Sequence, residues 1–168
     1  MVGQVLCHVA TVDGAWVALL GWASAALQVK ARDAWMGWSD DQRHRRLRYI
    51  ANNVRYCILP GWSLPNLASR VLTLNTRRLA ADWEARFGYS VVLAETFVDP
   101  SRFDGTCYRA AGWELLGRTR GFGRHGRQWE EHKQPKTGLG APLAATGPVL
   151  VGGRFRGPRT GGYAHAER

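Results

Sequence analysis

Three side chains between residues 91 and 127 have the types and spacing for proton transfer. Residues Ser90 to Phe97 form a β-prone, largely apolar run that ends in Val98-Asp99-Pro100. Side chains alternate along a strand, so Glu95, Phe97 and Asp99 share one face, and Tyr108 returns on the short helix expected next. Carboxylates can take a proton and a phenol hydroxyl can give one. Each residue also has a plain structural use. A carboxylate in an apolar strand needs a partner, and Glu95 would cap a helix or pair with Arg109 or Arg55. Asp99 before Pro100 is a turn former, and Tyr108 suits a core aromatic with its hydroxyl bonded. Cys107 has no histidine near it in sequence and reads as packing, not as a nucleophile.

The second chemistry is that of phosphate. The tract LGRTRGFGRHGR, residues 116–127, interleaves glycines with Arg118, Arg120, Arg124 and Arg127. Glycines let backbone lie near a phosphate surface, arginines supply forked donors, and Phe122 and Trp129 could stack on bases. Arg45 and Arg48, among four arginines on one expected helix, are the other candidate nucleic-acid contacts. The plain alternatives are a flexible exit linker for the tract and a solvated face for the helix. Gly121-Phe122-Gly123 follows a strand but opens no helix, which excludes a dinucleotide site. The chain carries a net charge of +10. Four arginines and one glutamate from residue 138 onward hold three of those charges, leaving +7 on residues 1–137. Such an excess favours nucleic acid as partner, with solvated charge as the plain alternative.

Other classes are disfavoured. Cys7, Cys57 and Cys107 are widely spaced in apolar or strand-like contexts and read as buried, reduced thiols. The five histidines pair at no helical or zinc-finger spacing, so no metal is expected. No run reaches the roughly 20 apolar residues of a membrane span, and no basic region precedes an apolar one as in a signal peptide. A cytoplasmic protein with no membrane partner is the expectation.

The elements that must position these residues follow in order. Residues Gln4 to Thr11 and Ala15 to Val29 alternate around Asp13-Gly14, a hairpin signal, with a bulge or close packing at Gly21. Residues 31–37 read as an irregular, Trp-rich link. Ser39 and Gln42 form a capping box that opens a helix with Asp40 and Asp41 in its first turn. Leu47, Ile50, Ala51 and Val54 form its buried stripe, and Asn52-Asn53 break it. Arg55 to Leu59 is a short strand stopped by Pro60-Gly61. Asn66 caps the longest helix, Leu67 to about Arg86, with Leu67, Val71, Leu74, Leu79 and Trp83 inward and Gly88 at its end. A central strand over Ser90–Phe97, a short helix over Phe103–Ala111 and a strand over Trp113–Thr119 complete the domain. Residues 138–168, with eight glycines and three prolines, read as a disordered, non-functional tail of frameshifted or truncated origin.

This order resembles an N-acetyltransferase (GNAT) arrangement: an α/β (α+β) fold whose mixed, mainly antiparallel sheet is packed by helices. Tyr108-x-x-x-Gly112-Trp113 matches its Tyr-x-x-x-Gly-aromatic signature. More specifically, WVALLGWASAAL, GWSDDQR, ANNVRY, ILPG, PNLASRVL, DWEARFGY, ETFVD, GTCYRAAGW and LGRTRG resemble the DruA family of the Druantia anti-phage system, over residues 2 to about 137. Proteins resembling this domain also occur fused ahead of a DDE-type transposase, at a junction like HKQPKT. The resemblance implies a DNA-associated accessory domain of a defence or mobile-element protein, with defence or transposase subunits as further partners. It also implies an upstream first strand and helix, without which the sheet edge at Gln4–Thr11 is exposed. No DDE triad can be assembled here. In a working acyltransferase Tyr108 would protonate the leaving thiolate, with Glu95 or Asp99 as base. A structural or docking domain is a third reading. The cofactor position reads PGWSLPNLAS, where Pro60 and Pro65 lack N–H groups and only Gly61 remains of the expected glycines, so no cofactor is expected.

Overall fold

The computed structural model of the chain describes residues 3–120, 122–125, 128–131 and 134–143. Strands β1 (Val5–Val12) and β2 (Ala15–Ser24) form the hairpin. Asp13 and Gly14 both adopt positive φ, 50° and 81°, the conformation that matches the twist of a two-residue hairpin turn. Helices α1 (Lys30–Met36) and α2 (Asp40–Arg46) follow, then a 3-10 turn over Leu47–Tyr49 and strand β3 (Ile50–Ile58). The long helix α3 (Leu67–Phe87) leads to β4 (Leu93–Val98), helix α4 (Thr106–Ala110) and β5 (Glu114–Arg118). Strands β6 (Phe122–His125) and β7 (Gln128–Glu131) make a separate two-stranded ribbon, and β8 (Thr137–Pro142) returns to the main sheet.

The main sheet has the order β1-β2-β3-β4-β8-β5. Every pairing is antiparallel except β3 with β4, whose parallel ladder requires the α3 crossover. One face packs against α3. Val71, Leu72, Leu79, Ala80 and Trp83 meet Leu20, Trp22, Ala51, Ala94 and Leu139 in one buried cluster. Trp22 and Trp83 are fully buried. Each removes roughly 200 Å² from water, worth about 5 kcal/mol before entropy. The opposite face carries α1 against β5. Gly117 permits this approach: its φ is +130° and a Cβ there would lie 2.9 Å from the Ala31 Cβ.

Several expectations are corrected. The link at residues 31–37 is helical, closed by Gly37 at φ 68°. The helix opened by the Ser39–Gln42 capping box is present, but it ends at Arg46. Ile50, Ala51 and Val54 belong to β3, because the ladders to β2 and β4 on either side outweigh a local helical spacing. Asn66 precedes α3 as expected, yet at φ 57° and with no capping side-chain bond. Leu74 of α3 is 63% exposed instead of inward. Cys7 and Cys57 are exposed, on the face of the β1–β3 half that also exposes Val9 and Leu19, and Cys107 is only half-buried.

The largest correction concerns the tail. Thr137–Pro142 is a strand inserted between β4 and β5, and Leu139, Ala141 and Leu143 are buried. Its glycines are packing positions. A Cβ at Gly140 would come within 3.0 Å of Leu116, and one at Gly138 within 3.5 Å of the Phe97 ring. Residues 144–168 lie outside the described residues.

Candidate functional site

The candidate site is built on β4, whose alternating side chains divide between two layers. Leu93, Glu95 and Phe97 point toward α1, while Ala94, Thr96 and Val98 point toward α3. Ala94 and Val98 accordingly belong to the α3-side cluster, together with Tyr108. Glu95 and Tyr108 are therefore on opposite faces of the sheet.

Glu95 is fully buried, and so is its partner, Arg32 of α1. One Arg32 Nη1 donates to both Glu95 oxygens at 3.3 Å and to the Ala26 carbonyl at 2.8 Å. Arg32 Nε and Nη2 donate to Asp33 Oδ1 at 2.9 and 2.8 Å. Arg43 of α2 reaches Asp33 Oδ2 at 3.4 Å and the exposed Asp40 at 2.8 Å. This chain of charges ties α1 and α2 to the middle of the sheet. Burial pushes the Glu95 carboxyl up to about 7, against the pull of Arg32, with Asp33 adding to the rise. The expected partners Arg109 and Arg55 are not the ones used. Arg32 belongs to the Trp-rich stretch over residues 31–37, where no apolar periodicity marks it as buried.

On the α3 side, Asn53 of β3 organises the bonds. The β2–β3 register slips between Gly21 and Trp22, leaving Val54 as the extra residue of a bulge. Asn53 Nδ2 donates to the Gly21 and Arg55 carbonyls at 3.1 Å each. Its Oδ1 accepts the Tyr108 hydroxyl at 2.7 Å, and Thr96 Oγ1 donates to its backbone carbonyl at 3.0 Å. Burial pushes the Tyr108 hydroxyl up to about 12, while a hydrogen bond with Thr96 acts in the other direction. The β3–β4 ladder stops at Asn53↔Thr96, although β3 runs on to Ile58. Where the strands part, aromatic rings occupy the α3 side. Tyr56 and Trp113 meet Tyr108 edge-on at 6.3 and 4.9 Å, and the Tyr56 hydroxyl donates to the Ala68 carbonyl in the first turn of α3. In the sequence the asparagine pair signals only a helix break.

A second polar chain runs from β2 to α3. Trp22 Nε1 donates to Asn75 Oδ1 at 2.8 Å, so the Asn75 amide must present Nδ2 to His8 Nδ1, also at 2.8 Å. The imidazole proton then lies on Nε2, facing Asp82 at 3.1 Å. This chain docks β1 onto α3 and includes no nucleophile.

Asp99 lies at the surface beyond β4. Its Oδ1 accepts from Ser101 Oγ at 2.7 Å and Ser101 N at 3.0 Å, bonds that hold the carboxyl below its usual value. It forms a turn, as the Asp-Pro pair suggests, and neither Glu95 nor Tyr108 is brought to it.

The candidate arginines fall into two groups at opposite ends of the sheet. Arg45 pairs with Asp41 on the exposed face of α2, and Arg48 stacks over Tyr49 and Tyr89 at 4.8 and 5.1 Å, beside the start of β3 and β4. Arg118 pairs through Thr137 with Val98, at the end of β4, and Arg120 follows it. Both are exposed, with no carboxylate partner among the described residues. The groups lie about one strand length apart, roughly 20 Å. Arg124 is placed by backbone register opposite Trp129 in the ribbon, and Arg127 lies outside the described residues. Among the described residues there is no group of three metal-ligating side chains, and no helix is long and apolar enough to cross a membrane.

The fold is similar to that of aminoglycoside acetyltransferase AAC(6')-Ib in complex with coenzyme A, with a TM-score of 0.50 and 13% identity over 82% of this chain and 66% of that one. The same enzyme with ribostamycin and coenzyme A gives a TM-score of 0.50 and 12% identity over 82% and 64%. The chain thus spans just under two thirds of these enzymes' length, and at such identities the likeness is one of fold. The sheet and its helices are N-acetyltransferase-like. No curated protein matches the sequence. A family model described as Druantia protein DruA matches residues 3–133, from the first hairpin through the β6–β7 ribbon. The chain belongs to the DruA family of the Druantia anti-phage system.

Proposed function

We propose that this chain is a DNA-associated accessory domain of a defence or mobile-element protein, an acetyltransferase-like scaffold that does no acyl transfer of its own. The observation that carries the reading is the commitment of all three candidate catalytic groups to structural bonds. Glu95 faces Arg32, Asp99 faces Ser101, and Tyr108 donates to Asn53. The sheet separates Glu95 from Tyr108, so the two cannot serve one reacting centre. The residues also do not fit acetyl-coenzyme A. A pyrophosphate at the start of α3 would need a row of backbone donors. There Pro60 and Pro65 have none, and the N–H groups of Trp62 and Leu67 are taken by the Leu59 and Leu64 carbonyls. The space between the parted strands, where a thioester arm would lie, holds Tyr56 and Tyr108.

What remains is a basic surface. The excess charge and the exposed arginines at both ends of the sheet support phosphate contact as the role, with Arg45, Arg48, Arg118 and Arg120 as its residues among the described side chains. The test sets two titrations of the full-length chain side by side. Labelled DNA oligonucleotides bind, and Arg118→Ala with Arg120→Ala weakens that binding, whereas acetyl-coenzyme A gives no saturable heat. Tight acetyl-coenzyme A binding, lost in Tyr108→Phe, would overturn the reading.

A further inference from the structure

The end of the sheet where β4 finishes carries an exposed aromatic side chain in a fixed setting. Phe103 is 64% exposed, so the core does not hold it. Its backbone is nevertheless pinned. Phe103 N and Arg102 N both donate to the Asp99 carbonyl, at 2.9 and 3.1 Å, and the Asp99 carboxylate holds Ser101. Residues 99–103 thus form a closed turn that projects Phe103 from the end of β4. Arg102 lies over one side of the ring, with its guanidinium carbon 5.6 Å from the centroid.

The neighbours of this turn are cations. Lys136 and Arg102 both act electrostatically on Asp99. Lys136 is bonded to Thr119 through two hydrogen bonds of 2.9 Å, which places Arg118 and Arg120 on either side of it. Arg109 reaches back to the same end, its Nη1 3.8 Å from a Cβ position at Gly105. Among the described side chains, the five cations Arg102, Arg109, Arg118, Arg120 and Lys136 stand here against the two carboxylates Asp99 and Asp104. Strand spacing puts Arg118 roughly 10 Å from the end of β4, within one or two nucleotides of a ring stacked on Phe103.

We infer that Phe103 is a base-stacking platform for single-stranded nucleic acid, with Arg102, Arg118, Arg120 and Lys136 meeting the phosphates on either side of the stacked base. This inference rests on the nucleic-acid reading above and adds the form of the ligand and the residue that selects it. A lone aromatic set among cations suits a strand whose bases are free to turn outward, because stacking needs an unpaired base face. In a duplex the faces are already occupied by neighbouring bases.

The test uses the full-length chain and labelled homopolymeric single strands beside a duplex of equal length. Phe103→Ala weakens single-strand binding by about fivefold to 150-fold and leaves duplex binding unchanged, while Phe103→Trp retains single-strand binding. Leu74→Ala, at an equally exposed apolar residue on α3, changes neither. Unaltered circular dichroism of each variant separates lost contact from lost fold. Wild-type binding that Phe103→Ala does not weaken, or weakens equally for duplex, overturns this inference and leaves the broader reading standing. A wild-type chain that binds neither strand form overturns both.

Discussion

The buried charges beneath α1 make the stability of the fold depend on pH. Glu95 is wholly enclosed, and its one cation, Arg32, is shared with Asp33 at shorter distances. Burial lifts the carboxyl from 4.5 to about 7. The folded state thus holds its proton more tightly than the unfolded chain. A group raised in this way contributes stability that is complete below the unfolded value, near pH 4.5, and is lost as pH rises through 7. With about 1.4 kcal/mol per unit, the contribution of Glu95 falls by about 3 kcal/mol across that window. Glu95→Gln keeps an oxygen for Arg32 and removes the titration. Urea unfolding at pH 5, 6, 7 and 8 then gives a wild-type stability that declines relative to the variant by that amount. At pH 8 the variant is the more stable. Arg32→Met leaves both carboxylates buried without their main cation and costs about 3–5 kcal/mol at pH 8. A Glu95→Gln protein that is less stable than wild type at pH 8, by an amount constant from pH 5 to 8, would contradict this pH dependence. It would mean that an ionised pair, not a strained carboxyl, holds the two layers together.

Two further outcomes follow from the bonding. Tyr108→Phe removes one buried hydroxyl from Asn53 and costs about 1–2 kcal/mol in chemical unfolding, whereas Asn53→Leu also orphans two carbonyls of the bulge and costs more. A chain stopped after Thr137 loses the strand between β4 and β5 and with it buried Leu139, Ala141 and Leu143, so it loses cooperative unfolding, while one stopped after residue 143 keeps it. Equal unfolding midpoints for the two truncations would contradict the placement of β8.

Features dictated over a few residues were legible in the sequence. The Asp13-Gly14 turn, the Ser39–Gln42 box and the Gly88 stop follow from local backbone preferences and stand in the structure, the strand expected over Ser90–Phe97 stands at Leu93–Val98, and the irregularity expected at Gly21 is a bulge whose extra residue, Val54, lies on the facing strand. Features set by distant partners were not. Ile50, Ala51 and Val54 fit a helical stripe as well as a strand, and the ladders that β3 makes with β2 and β4 decide between them. The glycines of 138–142 look like disorder until Leu116 and Phe97 are laid over them. The same limit applies to the site. Glu95 could be recognised as a buried carboxylate in need of a partner, but its pairing with Arg32 spans 63 residues and starts in a helix without a capping side-chain bond. Alternation placed Glu95, Phe97 and Asp99 together, yet it could not show that Tyr108 comes down on the other face, because that depends on where α4 packs.

The most direct measurement is the affinity of the full-length chain for a labelled DNA oligonucleotide across a salt series from 50 to roughly 300 mM, where the logarithmic slope counts the phosphates met. An accessory domain that grips DNA through Arg45, Arg48, Arg118 and Arg120 gives a steep negative slope, and that slope shrinks by about one to two in Arg118→Ala with Arg120→Ala. A flat dependence, or no binding at the lowest salt, would contradict the account.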